Sequence, residues 1–122
     1  MADDETVRRI AMSLPEAEDN SGPGSLHFSV RGKNFAWSYQ ERVAEKKPRQ
    51  PRLDVLAVRC RAADKEALLA ADPGKYFTTD HYRGFPAVLV RLDQVDEDEL
   101  RELLTDGWRC QAPKSLVKKY DS

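Results

Sequence analysis

Two runs of alternating apolar residues, separated by a glycine turn, constrain the fold more than any other feature of the chain. Apolar residues occupy positions 26, 28 and 30 of the first run and positions 35, 37 and 39 of the second. A period of two is typical of half-buried β-strands. Folding the chain about Arg31-Gly32 places Phe28 opposite Phe35 and Leu26 opposite Trp37, so the apolar side chains share one face. The other face is then predicted to be polar, with His27, Ser29, Arg31, Asn34, Ala36 and Ser38.

Residues at helical spacing lie before this hairpin and in the last third of the chain. The first helix is predicted from Val7, Ile10, Ala11 and Leu14, and Pro15 ends it. Near the C-terminus, Asp96 and Glu99 have the spacing of a capping box at the start of a helix. The apolar stripe of that helix comprises Leu100, Leu103, Leu104, Gly107 and Trp108. Two shorter helices are predicted, over Ala63–Ala71 and after Pro113.

Three further strands complete the predicted sheet. They cover Leu53–Cys60, Lys75–His81 and Pro86–Leu92. Residues 40–52 lack an apolar period and contain two prolines, which predicts a long mobile loop. The main elements follow the order α-β-β-β-α-β-β-α with hairpin-length connections, so we expect an α+β, two-layer fold with an antiparallel sheet and helices on one face. A length of 122 residues suits one domain spanning 1–122.

The distribution of charge along the chain is uneven although the total is balanced. There are 20 basic and 21 acidic residues, for a net charge of -1. Seven acids and one arginine between 93 and 106 sum to -6, whereas seven cations and two acids between 42 and 61 sum to +5. The total excludes a uniformly basic nucleic-acid wrapper but permits a local basic patch. A simpler interpretation of the basic loop is a solvated segment whose charges favour solubility.

Residue types that carry enzymatic or metal chemistry are sparse and poorly spaced. The two cysteines and two histidines lack the paired spacing of a zinc site, and the acids around residue 96 are explained by helix capping. Neither a G-x-S-x-G nucleophile elbow nor a phosphate-binding glycine loop is present. We therefore expect no catalytic residue, no metal and no cofactor. The absence of a basic and apolar leader, together with few cysteines, predicts a reducing cytoplasmic location without a membrane span.

Three segments, Phe28–Ala36, Thr79–Val88 and Asp106–Leu116, resemble the MmcQ/YjbR family of small bacterial proteins in sequence and order. The resemblance implies the same succession of helices and strands, described as a double-wing DNA-binding arrangement and related to secretion-chaperone-like folds. It implies no catalytic chemistry. The positions that match the family pattern are Gly32, Lys33, Phe35, His81, Tyr82, Arg83, Gly84, Pro86 and Lys114.

The pattern of charges and the resemblance together favour a non-enzymatic DNA-binding module that contacts phosphates. Its predicted contact residues are Arg42, Lys46, Lys47, Arg49, Arg52, His81, Arg83, Lys114 and Lys118. The alternative is a protein-interaction or chaperone-like module that uses the open sheet face or a sheet edge, as a monomer or weak dimer. An enzyme built around His81, Arg83 and Lys114 is a third, less favoured hypothesis.

Overall fold

The computed structural model of the protein describes residues 3–22, 24–41, 50–79 and 82–121. These residues form six strands, namely Ala17–Asp19 (β1), His27–Val30 (β2), Lys33–Glu41 (β3), Gln50–Arg59 (β4), Tyr76–Phe77 (β5) and Ala87–Arg91 (β6). They also form four α-helices, which are Asp4–Ser13 (α1), Ala62–Ala71 (α2), Glu97–Gln111 (α3) and Lys114–Asp121 (α4). The strands make one antiparallel sheet in the order β1-β2-β3-β4-β6-β5. The predicted α+β fold is therefore confirmed.

The main hydrophobic core lies between this sheet and the helices. From the sheet it contains Phe28, Phe35, Leu56, Val88 and Val90, all fully buried. The helices contribute Ile10 from α1, Leu100, Leu104 and Trp108 from α3, and Leu116 from α4. Burial of such large side chains is the dominant favourable contribution to folding. No helix in the described part of the chain is long and apolar enough to cross a membrane.

Acidic residues fix the N-termini of α1 and α3. The Asp96 side chain accepts a hydrogen bond from the Glu99 backbone N–H at 2.8 Å, and the Glu99 side chain accepts one from the Asp96 N–H at 3.3 Å. Asp3 caps α1 through the Thr6 backbone N–H at 2.8 Å. These bonds satisfy backbone donors that the first helical turn leaves without partners. The capping box predicted for α3 is thus confirmed.

The hairpin turn forms where the sequence places it, but the pairing beyond it is shifted by a bulge. Arg31 and Gly32 both have positive φ angles, 51° and 80°, as a tight two-residue hairpin turn requires. Past the turn Phe28 pairs with Ala36 rather than Phe35, which is the extra residue of a bulge. The predicted pairs of Phe28 with Phe35 and of Leu26 with Trp37 are therefore wrong.

The bulge also reverses which residues of β3 face the helices. Phe35 and Ala36 both belong to the main core, whereas Trp37 and Tyr39 pack on the opposite face of the sheet. The prediction that this opposite face is polar is wrong for β3, because Trp37 and Tyr39 lie on it. On β2 the predicted His27 does lie on this face, where it pairs with Trp37.

Several predicted boundaries also differ from the observed ones. The predicted loop over 40–52 is shorter, because β3 continues to Glu41 and β4 begins at Gln50. The β3–β4 ladder is extended by backbone pairing of residues 39–41 with residues 50–52. The sequence gives no sign of this extension, because these residues have no apolar period. Residues 42–49 lie outside the described residues. Strand β5 has two residues where seven were predicted, and β1 is an additional short strand paired with β2.

Candidate functional site

The face of the sheet that points away from the main core is built by alternation along β4 and β6. Val55, Ala57 and Arg59 of β4 pair across with Arg91, Leu89 and Ala87 of β6, respectively. Facing pairs in an antiparallel sheet project to the same side. Buried Val55, Ala57, Ala87 and Leu89 form the apolar centre of this face, and the two arginines stand at opposite ends of it.

Five aromatic side chains surround this apolar centre, and we call them the aromatic face. They are Trp37, Tyr39, Phe77, Tyr82 and Phe85. Their ring centroids are spaced 6.0 to 6.5 Å apart in mostly edge-to-face contacts, a favoured aromatic geometry. The Trp37 indole N–H donates to the Tyr82 hydroxyl at 3.0 Å. Phe85 is 40 % exposed, and Trp37, Tyr39 and Phe77 are half-buried, so part of each ring remains accessible.

A guanidinium group lies over an aromatic ring at each end of this face. The Arg91 guanidinium carbon is 4.1 Å from the Phe77 ring centroid, and that of Arg59 is 5.2 Å from the Phe85 centroid. Both distances lie within the range of cation–π attraction. A stacked guanidinium keeps its planar set of N–H donors, which matches the oxygens of a phosphate. Cations and accessible rings are therefore combined on one surface.

A buried lysine holds the corner that carries two of the aromatic rings. Lys65 of α2 is only 8 % exposed, and its ammonium donates to the backbone carbonyls of Tyr82 at 2.6 Å and of Phe85 at 2.8 Å. Burial lowers the pKa of this ammonium group. The two hydrogen bonds compensate part of the desolvation cost and fix residues 82–85 against α2.

We expect Lys65→Met to lower the free energy of unfolding by about 1–3 kcal/mol, because two backbone carbonyls at the corner lose their charged donor. Because methionine retains most of the aliphatic side chain, the measured loss of stability reports on the removal of the ammonium group. Urea denaturation measures the effect, and hydrogen exchange of the amides at 82, 85 and 87 should accelerate. The exposed Lys33→Met is the matched control, and equal changes in both variants would contradict this role for Lys65.

Polar side chains occupy the end of the same face formed by β2 and the start of β3. His27 Nε2 is 2.7 Å from Asn34 Oδ1, and the Asn20 amide donates to the Ser29 hydroxyl at 2.7 Å. Asn20, His27 and Asn34 line a shallow groove that reaches Trp37. The groove thus places hydrogen-bonding groups beside the aromatic face.

The contact residues predicted from the sequence are distributed over different parts of the molecule. Arg42, Lys46, Lys47, Arg49 and His81 lie outside the described residues. Arg52 pairs with Tyr39 in the ladder, and Arg83 is exposed at the corner between Tyr82 and Phe85. Lys114 and Lys118 are exposed on α4, which packs through Leu116 onto the helix side of the sheet. Arg83 thus adjoins the aromatic face, whereas the two lysines belong to the helix layer.

The sequence predictions did not include Arg59, Arg91 or the aromatic face itself. A signal for the two arginines is present, since each ends an alternating run of its strand, 55-57-59 in β4 and 87-89-91 in β6. No comparable signal identifies Trp37 and Tyr39, because the bulge at Phe35 reverses their direction.

Comparison with known proteins places this architecture in a family. The YjbR family model matches residues 12–110. The uncharacterized proteins Rv2570 of Mycobacterium tuberculosis and Mb2600 of Mycobacterium bovis are each 37% identical over 127 residues, covering 98% of this chain and 96% of each relative. The crystal structure of Deinococcus radiodurans protein DR2400, which has a DUF419 domain, shares the fold with a TM-score of 0.65 and 22% identity, over 88% of this chain and 77% of that one. With the family model spanning most of its length, the chain belongs to the YjbR family.

Proposed function

We propose that this protein is a non-enzymatic DNA-binding module that uses the aromatic face and its flanking arginines. The observation that carries the proposal is the pair of guanidinium groups, those of Arg59 and Arg91, held over aromatic rings at the two ends of the sheet face opposite the main core. Binding surfaces for unpaired nucleic acid combine these two elements, rings for base stacking and cations for the backbone.

Phosphate contact is further supported by the sequence around the β3–β4 hairpin. Four cations, Arg42, Lys46, Lys47 and Arg49, fall in the eight residues that join these two strands. Arg52 follows them and pairs with Tyr39, a member of the aromatic face. The basic segment is therefore connected to strands that carry the rings. Contacts of this kind are mostly electrostatic and weaken steeply with salt.

Stacking on this face favours single-stranded over duplex DNA. Bases of a duplex already stack on each other, whereas unpaired bases can stack on aromatic side chains. The polar groups of His27, Asn34 and Asn20 at the end of the face offer hydrogen-bond partners for base edges. We therefore expect tighter binding to single strands than to duplex of the same length.

Fluorescence anisotropy with labelled single-stranded and duplex DNA over a salt series tests the proposal. We expect Phe85→Ala to weaken single-strand binding by about tenfold, since one stacking contact is worth roughly 1–3 kcal/mol. Arg91→Ala should lower affinity and reduce the slope of log K against log salt by about 0.7, the value for one phosphate contact on a single strand.

Arg101→Ala is the matched control, because Arg101 is an exposed arginine of α3 in the helix layer. It should leave single-strand binding unchanged. Replacing Lys114 and Lys118 tests the lysines predicted from the sequence separately from the aromatic face. Failure to bind DNA at low salt, or equal weakening by Arg101→Ala and Arg91→Ala, would overturn the proposal.

A protein partner is the second candidate, and the exposed ring of Phe85 favours it. Partner binding by strand addition is disfavoured at the edges, because β1 has three residues and β5 has two and they present few backbone groups. A protein partner would instead cover the aromatic face. Loss of partner capture in Phe85→Ala without any DNA binding by the wild-type protein would select this candidate.

A further inference from the structure

A second concave site lies on the helix side of the sheet, separate from the aromatic face. It is a cavity of about 300 Å³ between α2, α3 and the strands β4, β5 and β6. Its apolar lining comes from Val58, Cys60, Leu68, Tyr76, Val88 and Leu103. This volume is at the small end of the range for ligand pockets, which suits a molecule with one ring or a short chain.

Carboxylates dominate the rim of this cavity. Four of them line it, Asp64 from α2 and Glu99, Glu102 and Asp106 from α3. Among the described residues that line the cavity Arg59 is the one cation, and its guanidinium lies over Phe85 on the opposite face of the sheet. Glu99, Asp106 and Asp64 pair with Lys75 at 2.7 Å, Arg109 at 3.2 Å and Arg61 at 3.9 Å, none of which lines the cavity. The Glu102 carboxylate has neither a hydrogen bond nor an ion pair with any described residue.

The Tyr76 hydroxyl provides an independent indication of a ligand. Tyr76 is 7 % exposed and lines the cavity, and its hydroxyl makes no hydrogen bond with any side chain or backbone group of the described residues. Burial and the nearby carboxylates of Glu99, Asp72 and Glu102 raise the pKa of its phenol group. An unpartnered hydroxyl here leaves a bond available to an incoming molecule.

We propose that this cavity binds a small organic cation, a protonated amine attached to an apolar body. The apolar lining would bury the body, and the ammonium group would lie against Glu102 with the Tyr76 hydroxyl oxygen as a further acceptor. Carboxylate or phosphate ligands are disfavoured because they would face like charges at the rim. No group of three His, Cys, Asp or Glu residues in the described ranges could hold a metal ion, so an organic cation fits better than a metal.

The probe for the proposal is phenethylamine, and 3-phenylpropionate is its anionic counterpart. Cys60 reports on occupancy because its thiol lines the cavity, and Cys110→Ser leaves it as the single cysteine. Burial raises the pKa of the Cys60 thiol to about 11, so its alkylation by iodoacetamide is slow enough to follow. We expect phenethylamine to slow this alkylation with a dissociation constant of about 1 mM or tighter. The phenylpropionate anion should give no protection.

Two variants test the groups named in the proposal. Glu102→Gln should weaken phenethylamine binding by about three- to fivefold, the effect of one exposed ion pair, and Tyr76→Phe should weaken it without changing the unfolding midpoint. Glu66→Gln on α2 is the matched control, because this exposed carboxylate does not line the cavity.

Equal protection by the amine and the carboxylate, or no protection by the amine at about 10 mM, would overturn the proposal. Equal binding by Glu102→Gln and Glu66→Gln would overturn it as well. DNA binding by the aromatic face is measured separately and does not depend on this cavity.

Discussion

Replacing Trp108 with alanine is expected to lower the free energy of unfolding by about 3–5 kcal/mol. Trp108 is 0 % exposed and belongs to the main core, so its removal leaves a large cavity. Its indole N–H donates to the Pro15 carbonyl at 2.9 Å, and its ring lies 5.1 Å from that of Tyr120. The side chain thus joins α3 to the end of α1 and to α4. Urea denaturation followed by circular dichroism measures the loss.

Two further variants separate the contributions of the Pro15 hydrogen bond and the Tyr120 ring contact to this loss of stability. Trp108→Phe keeps an aromatic ring but leaves the Pro15 carbonyl without its donor, so we expect a smaller cost of about 1–3 kcal/mol. Tyr120→Ala removes the edge-to-face contact from a residue that is 41 % exposed, and it should cost less than either change at Trp108. A near-neutral shift for Trp108→Ala would mean that the apolar stripe of α3 does not hold the fold together.

The elements with strong local signals could be predicted from the sequence. The α3 capping box and apolar stripe, the Arg31-Gly32 turn and the alternation in β6 each follow from chemistry within a few neighbouring residues. The bulge at Phe35 could not be predicted, because one extra residue in a strand leaves no mark on composition or turn chemistry. Its consequence is large, since it moves Trp37 and Tyr39 from the predicted core to the opposite face.

The candidate site was less predictable than the fold, because it depends on residues that are distant in sequence. Trp37 and Tyr82 are joined by a hydrogen bond across 45 positions, and Phe77 and Arg91 meet only because β5 pairs with β6. Charge counting drew attention to the basic segment and the C-terminal lysines, and their role in DNA contact stays a prediction. Charge counting does not single out Arg59 or Arg91, because their position on the aromatic face depends on strand pairing rather than on the number of cations nearby in the sequence.

A sum of charges along the sequence overstates the negative electrostatic potential around residues 93–106. Arg9 of α1 forms an ion pair with Glu97 at the start of α3, and this pairing holds the pKa of Glu97 below its usual value. Lys75 pairs with Glu99, two residues further along α3. Cations from other elements therefore neutralise part of the block between 93 and 106, which a sum along the chain cannot reveal.

Gly107→Ala is expected to destabilise the protein by about 3 kcal/mol, at the upper end of the usual cost of overpacking. In an exposed helix the same change stabilises by about 1 kcal/mol, because alanine has the higher helix propensity. At this position a Cβ would lie 2.9 Å from the Arg59 carbonyl oxygen, 3.1 Å from Val58 Cγ1 and 3.2 Å from the Phe35 carbonyl oxygen. Two of these atoms are sheet backbone, so α3 itself must move away from β3 and β4.

Urea denaturation of Gly107→Ala is compared with that of Glu102→Ala, since Glu102 is an exposed position of the same helix. The comparison separates the cost of overpacking from the effect of helix propensity. The control should be close to neutral, whereas an increase in stability for Gly107→Ala would show that α3 does not approach the sheet this closely.

The contact between Gly107 and the Arg59 carbonyl also links the two faces of the sheet. Arg59, whose carbonyl faces Gly107, carries the guanidinium that lies over Phe85, so displacement of α3 should also disturb one end of the aromatic face. Single-strand DNA binding should consequently weaken in Gly107→Ala even at temperatures where the variant remains folded.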